Sequence, residues 1–199
     1  SSQSSESTGA TLLLIMDRSG SMGAPSSGLS PIMQAQQAIA MVADAVGPVD
    51  ALGLIAFESS AQELVPITVS SGVMVKSAAG RMTPAGGTNF NAALSRAADS
   101  ISRTGINGAQ VVFVSDGQFQ HSSLDKRHTA RLRGMGVRLH TIAAGDTADN
   151  QTLCALAAEL DGWCVAVTHS GLKATLAQML EEARDRRVLA DVRDVIRPG

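Results

Sequence analysis

Asp17, Ser19 and Ser21 stand at alternate positions directly after an apolar run that extends from Leu12 to Met16. In an extended chain the side chains of residues i, i+2 and i+4 point the same way, so one carboxylate and two hydroxyls can face a single point beyond a strand. Oxygen ligands of this kind suit hard cations such as Mg²⁺. The alternative interpretation is a polar turn that caps the following helix.

Two further segments carry oxygen-bearing side chains at comparable places. Thr88 lies in the Gly/Pro-rich loop 83–89, directly before a predicted helix, and Asp116 follows a buried strand in the sequence Ser-Asp-Gly. Open α/β sheets bind ligands beyond the carboxyl ends of strands, where the strand order reverses. In the common order 3-2-1-4-5-6 that point lies between the first and fourth strands, which end in Asp17 and Asp116. Topology and side-chain chemistry therefore select the same two carboxylates.

Apolar strand-length runs alternate with helical periodicity, which is typical of an α/β domain with a mainly parallel sheet and helices on both faces. Only Glu58–Ser60 separates the second and third strands, so this pair is predicted to be an antiparallel hairpin at one edge. We predict a doubly wound, six-stranded, Rossmann-like sheet in the order 3-2-1-4-5-6. The predicted strands are Thr11–Met16, Ala51–Phe57, Ala61–Thr68, Gln110–Val114, Val137–Ala143 and Trp163–Val167. The predicted helices begin at Ser30-Pro31 (stopping at Gly47-Pro48) and cover Gly72–Ala79, Asn89–Ser102, Ser123–Arg133, Thr152–Leu160 and Leu172–Arg186.

Over residues 11–183 the chain resembles the von Willebrand factor A (vWA) domain family, in a bacterial-type form of unresolved subfamily. In that family a metal-ion-dependent adhesion site is built from Asp-x-Ser-x-Ser, a Thr and an Asp. The residues that match these elements in order are Asp17, Ser19, Ser21, Thr88 and Asp116. The resemblance implies that they hold Mg²⁺, with Mn²⁺ or Ca²⁺ as alternative ions.

The resemblance also implies how the ion would be held. Ser19 and Ser21 would bind it directly and Asp17 largely through water, while Thr88 and Asp116 exchange direct and water-mediated roles. When Thr88 replaces Asp116, less negative charge touches the ion, which then accepts an outside carboxylate more strongly. In the family this exchange is coupled to a shift of the C-terminal helix, here the segment 172–186.

We therefore expect a non-catalytic protein–protein recognition module, adhesive in kind, whose partner supplies an Asp or Glu carboxylate to the metal. The alternative is a structural or regulatory subunit of an ATPase-linked or metal-chelatase-like complex, in which the metal docks a neighbouring domain. A Mg²⁺-dependent hydrolase is a third class. No G-x-S-x-G elbow, Walker motif or G-x-G-x-x-G follows the first strand, and catalytic and nucleotide-binding residues are accordingly predicted to be absent.

The composition limits the classes of partner and the compartments that we expect. The net charge is −2 and aromatic residues make up 3% of the 199 residues with no tyrosine, which argues against nucleic-acid binding. No apolar stretch is long enough to span a membrane. Cys154 and Cys164 are expected to be two buried thiols of a reducing compartment, with a single disulfide as the alternative. The sequence does not fix the compartment, although it favours the cytoplasm, and it does not fix the oligomeric state.

Several other residues receive a structural interpretation. Asp50 and Glu58 flank the second strand and are expected to be solvated carboxylates, although Glu58 lies at the strand end nearer the site. Met22 and Leu29 either line the rim of the metal site or cover core.

The four histidines are scattered, with no metal-ligand spacing. His140 is predicted at a strand position and His121 and His128 on the surface; His169 receives no role.

Residues 1–9 are expected to be a disordered tail, 10–186 the vWA domain, and 187–199 an extension or linker. Residues 188–196 carry an apolar stripe that fits helical spacing and, almost as well, strand spacing.

Overall fold

A computed structural model describes residues 9–23 and 28–182. The predicted N-terminal tail, apart from residue 9, and the predicted C-terminal extension lie outside the described residues, as do the end of the last predicted helix and part of the loop that follows the Asp-x-Ser-x-Ser motif. Among the helices that the structure describes, none is long and apolar enough to cross a membrane.

Six strands form one sheet in the order β3-β2-β1-β4-β5-β6. All neighbours pair in parallel except β2 and β3, which form the antiparallel hairpin at one edge. The predicted fold class, strand order and antiparallel edge are therefore confirmed. The strands are β1 Thr11–Asp17, β2 Ala51–Phe57, β3 Ala61–Val69, β4 Gln110–Ser115, β5 Arg138–Ala144 and β6 Cys164–Val167.

Helices surround the sheet, and each strand that leads to the candidate site is followed by one. The α-helices are α1 Pro31–Ala45, α2 Gly72–Gly80, α3 Phe90–Thr104, α4 Lys126–Gly134, α5 Asn150–Glu159, and α6, which is helical from 172 to the last described residue, 182. Single 3₁₀ turns cover Gly20–Gly23, His121–Ser123 and His169–Gly171.

Side-chain caps mark the starts of α1, α3 and α4. Ser30 caps α1 ahead of Pro31, as predicted, and α3 begins at Phe90, one residue after the predicted Asn89, because the Asn89 side chain caps it by accepting from the Ala92 amide. α4 begins later than the predicted Ser123, because the side chain of Asp125 caps it at Lys126 and the residues before it form a 3₁₀ turn.

The core lies on both faces of the sheet, and β1 divides its side chains between them. Leu12, Leu14 and Met16 pack with α1, α2 and α6 on one face, whereas Leu13 and Ile15 pack with α3, α4 and α5 on the other. This alternation explains why β1 reads as a continuous apolar run.

Met22 and Leu29 differ in burial. Met22 is fully buried and belongs to the core that includes α1, whereas Leu29 is exposed. Of the two interpretations, rim of the metal site or core, the structure supports core for Met22.

Cys154 on α5 and Cys164 at the start of β6 form a disulfide. The expectation of two free thiols is wrong, because packing of α5 beside β6 brings the two Cα atoms to 5.0 Å, within the range a disulfide spans. Spacing along the sequence does not reveal this proximity. The free thiols therefore no longer support a reducing compartment.

Candidate functional site

The candidate site begins where β1 and β4 end side by side. These strands pair in parallel with Met16 opposite Val114, so Asp17 and the residues that follow β4 lie at the same edge of the sheet. Asp17 is 0% and Asp116 2% exposed. Two carboxylates removed from water at one point are costly unless they are hydrogen-bonded or bind a cation, so their burial needs an explanation.

Both oxygens of Asp17 accept hydrogen bonds. The Ser19 amide donates to Oδ1 at 2.6 Å, and the Ser115 hydroxyl donates to Oδ2 at 2.7 Å. Burial nevertheless raises the pKa of Asp17; the hydrogen bonds from Ser19 and Ser115 counteract this in part, and the charge of Asp116 adds to it. The ionised carboxylate of Asp17 is thus held at a cost that a bound cation would relieve.

Ser19, Ser21 and Asp116 meet on the other side of this turn. The Ser21 hydroxyl donates to Asp116 Oδ1 at 2.8 Å, the Ser19 hydroxyl lies 3.4 Å from the same oxygen, and the two serine oxygens are 3.1 Å apart. The Asp-x-Ser-x-Ser motif and Asp116, almost a hundred residues away along the chain, therefore converge on one point, as the sequence predicts.

The loop 83–89 closes over the same turn. The Gly20 amide donates to the Gly86 carbonyl at 3.1 Å, and the Ala85 amide donates to the Arg18 carbonyl at 2.9 Å. Thr88 packs directly against Gly117, where a Cβ would collide with the threonine hydroxyl. Thr88 is therefore next to Asp116 along this edge, although its hydroxyl makes no hydrogen bond to the other four candidate residues in the described part of the chain.

Glu58 supports this loop. Its carboxylate accepts hydrogen bonds from the Ser60 hydroxyl and the Ser59 amide and lies 3.6 Å from the Arg18 guanidinium. The Ser60 hydroxyl, with smaller contributions from the Ser59 amide and Arg18, lowers the pKa of Glu58. Gly86, at φ +69°, lies against this carboxylate, so a Cβ there would meet Glu58. Glu58 thus fixes the turn that holds the loop.

Asp50 has a different structural role. It accepts from the amides of Gly47 and Ala10 and ties the start of β2 to the chain before β1.

Sequence reasoning missed two residues of this edge, Ser115 and His169. Ser115 is the last residue of β4 and hydrogen-bonds Asp17, a role that the strand ending in Ser-Asp-Gly could have suggested. His169 follows β6, and its Nε2 lies 3.7 Å from Asp116 Oδ2. Because β5 separates β6 from β4, no sequence signal indicated this contact.

The other histidines lie elsewhere. His140 is buried on β5, where it contacts Gln110 and accepts from the Trp163 amide, which confirms the predicted strand position. His121 is exposed, as predicted, and His128 is partly buried beside Asp125.

The site offers two kinds of oxygen ligand for a cation, neutral hydroxyls and negatively charged carboxylates. Within residues 9–23 and 28–182, no three His, Cys, Asp or Glu side chains are grouped to hold a metal ion. A cation at this edge would thus depend on serine and threonine hydroxyls together with the carboxylates of Asp17 and Asp116. Hydroxyls and carboxylates suit Mg²⁺ and Ca²⁺ better than the softer ions that prefer thiolate.

Comparison with known proteins finds one matching family model, the von Willebrand factor type A domain, which matches residues 12–118. No curated protein matches the chain.

Solved structures share the fold at low identity. A von Willebrand factor type A protein from Catenulispora acidiphila superposes with a TM-score of 0.76 at 18% identity, covering 86% of this chain and 42% of its own. The conserved hypothetical protein BatB from Bacteroides thetaiotaomicron gives 0.73 at 18% identity, covering 88% of this chain and 100% of its own. Proximal thread matrix protein 1 from the mussel byssus, with a zinc-occupied MIDAS motif, gives 0.69 at 16% identity, covering 86% and 47%. This chain thus spans less than half the length of the Catenulispora and mussel proteins.

Proposed function

The chain belongs to the von Willebrand factor type A domain family, whose members are generally protein-interaction modules, and from this premise we propose that it recognises a partner protein through a bound divalent cation. Asp17, Ser19, Ser21, Thr88 and Asp116 hold the ion, Mg²⁺ in the first instance, and an Asp or Glu of the partner completes its coordination. The module itself is not an enzyme.

The observation that carries this proposal is the meeting of Ser19, Ser21 and Asp116. Two hydroxyls and one carboxylate oxygen lie within 3.4 Å of one another across three separate contacts. A buried carboxylate needs a compensating charge, and the serine hydroxyls supply dipoles but no positive charge. The zinc-occupied MIDAS motif of the mussel byssus protein supports the idea that this fold can hold a divalent ion at such a motif.

The neutral hydroxyls determine what the ion can do. Mg²⁺ takes six oxygen ligands and retains several waters when the protein supplies few of them. With serine and threonine in place of further carboxylates, the ion keeps more of its positive charge. An outside carboxylate then gains more by replacing a water than it would at a site crowded with acids. The hydroxyl-rich site therefore favours an acidic partner.

The surroundings of the serines agree with binding rather than catalysis. A nucleophilic serine requires a base within hydrogen-bond reach. The only basic group seen to accept from the Ser21 hydroxyl among the described residues is the Asp116 carboxylate, which this proposal assigns to the ion, and the His169 imidazole faces Asp116 and not a serine oxygen.

Water-proton relaxation with Mn²⁺ as the probe tests the proposal. Mn²⁺ bound to the wild-type protein should enhance the relaxation rate, because exchanging water reaches the ion. Acetate should then reduce the enhancement by displacing that water, whereas acetamide, its neutral isostere, should not. The matched variant Ser19→Ala/Ser21→Ala should bind Mn²⁺ weakly and show little enhancement.

Two results would contradict the proposal. If wild type and the double alanine variant bind Mn²⁺ alike, the ion does not occupy the predicted site. If acetate and acetamide have the same effect, the bound ion has no position that favours a carboxylate. The proposal that a partner's Asp or Glu completes its coordination would then be wrong.

A further inference from the structure

His169 is the one histidine that contacts the candidate site within the described chain. Its Nε2 lies 3.7 Å from Asp116 Oδ2, a close electrostatic contact that is longer than a hydrogen bond. The residue opens the 3₁₀ turn His169–Gly171, which links β6 directly to α6. It therefore connects one carboxylate of the site to the start of the last helix.

The imidazole is held in this position by its surroundings. Gly145, the residue after β5, has φ +80°, and a Cβ there would collide with the ring at Nε2. The Gly145 amide donates to the Val167 carbonyl at 2.8 Å, which fixes the end of β5 beside the end of β6. The Thr168 hydroxyl accepts from the Gly171 amide and closes the turn. A glycine at 145 thus makes room for the ring beside Asp116.

Hydrogen bonds of the other ring nitrogen do not account for this placement. Nδ1 is buried and has no hydrogen-bond partner among the residues described. A buried polar atom without a partner costs free energy, so the ring orientation gains nothing from Nδ1. What the orientation does provide is an Nε2 that lies 3.7 Å from Asp116 Oδ2, and this contact is attractive when Nε2 carries a proton.

The two oxygens of Asp116 have different neighbours. Oδ1 lies 2.8 Å from the Ser21 hydroxyl and 3.4 Å from the Ser19 hydroxyl, on the side where we place the ion. Oδ2 faces His169. The imidazole thus faces the carboxylate oxygen of Asp116 for which no contact with either serine is seen.

We propose that His169 is a positioning residue for the metal site: its Nε2–H orients Oδ2 of Asp116, and through this contact ion binding and the turn 169–171 are linked. The inference rests on the proposed function, since it requires an ion at Asp116. Linkage is reciprocal, so an ion that favours one position of Asp116 also favours one position of the turn, and a change at the turn alters ion affinity. The imidazole gives a side-chain route from the ion to the start of α6.

Three variants test this role. His169→Leu removes the donor, His169→Gln keeps an N–H at a similar reach, and His121→Gln is a matched control at an exposed histidine. Residues that orient a metal-binding carboxylate typically change metal affinity by 10- to 100-fold when mutated. We expect calorimetric titration with Mg²⁺ to show a loss of roughly that size for the leucine variant, recovery to within a few-fold for His169→Gln, and no change for the control.

Amide hydrogen exchange over residues 168–176 supplies a readout that a purely structural role would not change. Mg²⁺ should slow exchange there in wild type and in His169→Gln, and have no such effect in His169→Leu. If the leucine variant folds poorly in EDTA, His169→Asn replaces it, because its shorter amide does not reach Asp116 from the same backbone position.

The outcomes separate this inference from the proposal it rests on. If wild type binds no divalent ion at this site, both fall. If wild type binds Mg²⁺ and His169→Leu binds it equally well, or keeps the Mg²⁺-dependent protection, only the role of His169 falls. A loss confined to Zn²⁺, with Mg²⁺ affinity intact, would show that the imidazole binds the ion directly and would also overturn the positioning role.

Discussion

Replacing Asp17 by asparagine separates the stability of the metal-free fold from its ability to bind an ion. The carboxylate is 0% exposed and accepts from the Ser19 amide and the Ser115 hydroxyl. An asparagine keeps both contacts, because its Oδ1 can accept from Ser19 and its Nδ2 can donate to the Ser115 oxygen. The substitution therefore removes one buried negative charge beside Asp116 and little else.

The sign of the pH dependence follows from the raised pKa of Asp17, which burial moves above its ordinary value of 3.8. A carboxyl with a raised folded-state pKa stabilises the fold fully below its unfolded pKa, and this contribution is lost as pH rises through the raised value. In EDTA, wild type should therefore lose stability relative to Asp17→Asn as the pH rises from about 4 towards neutrality. At neutral pH the metal-free variant should be at least as stable as wild type.

Addition of Mg²⁺ should reverse this order. An ion at 100 times its dissociation constant stabilises a folded protein by about 2.7 kcal/mol. For a chain of this size each kcal/mol shifts Tm by roughly 2–4 °C, so wild type should gain about 5–11 °C. Asp17→Asn should gain almost nothing. Differential scanning calorimetry in EDTA and in Mg²⁺, from pH 4 to 8, measures both effects, and an equal gain in the two proteins would refute the reasoning.

Three further changes test the position of Thr88, the disulfide and the packing of the core. Gly117→Ala should lower Mg²⁺ affinity measured by calorimetric titration, because the new Cβ displaces Thr88; unchanged affinity would show that Thr88 is not needed. Replacing Cys154 and Cys164 by serine should lower the free energy of unfolding in urea by about 2–4 kcal/mol, and wild type in reducing agent should match the variant. Phe113→Ala should cost about 3–5 kcal/mol in the same assay, since the ring is fully buried; a loss below 1 kcal/mol would contradict the packing.

Local sequence signals were sufficient for much of the fold and for part of the site. The run that ends at Asp17 predicts a strand buried on both faces, and β1 has this form. The three-residue gap after Phe57 excludes a parallel crossover, and β2 and β3 are antiparallel. With the strand order settled, the ends of β1 and β4 become neighbours, which brings Asp116 to Ser21.

The features that escaped prediction depend on packing between distant elements. His169 reaches Asp116 because Gly145 follows β5 and its missing Cβ leaves room for the ring, and neither residue signals this by itself. The disulfide requires Cys154 on α5 to face the first residue of β6. Such proximities depend on how elements that are distant in the sequence pack together, and a hydrophobic pattern indicates which face of an element is buried but not which residues meet.

A crystal grown with Mn²⁺ tests the central claim most directly, since anomalous scattering locates the ion without ambiguity. The account predicts one strong peak bonded to the hydroxyl oxygens of Ser19 and Ser21, next to Asp17, Thr88 and Asp116, with at least one coordination position taken by water or an outside oxygen. No peak there at saturating Mn²⁺, or an ion enclosed on all sides by this chain's own side chains, would contradict it.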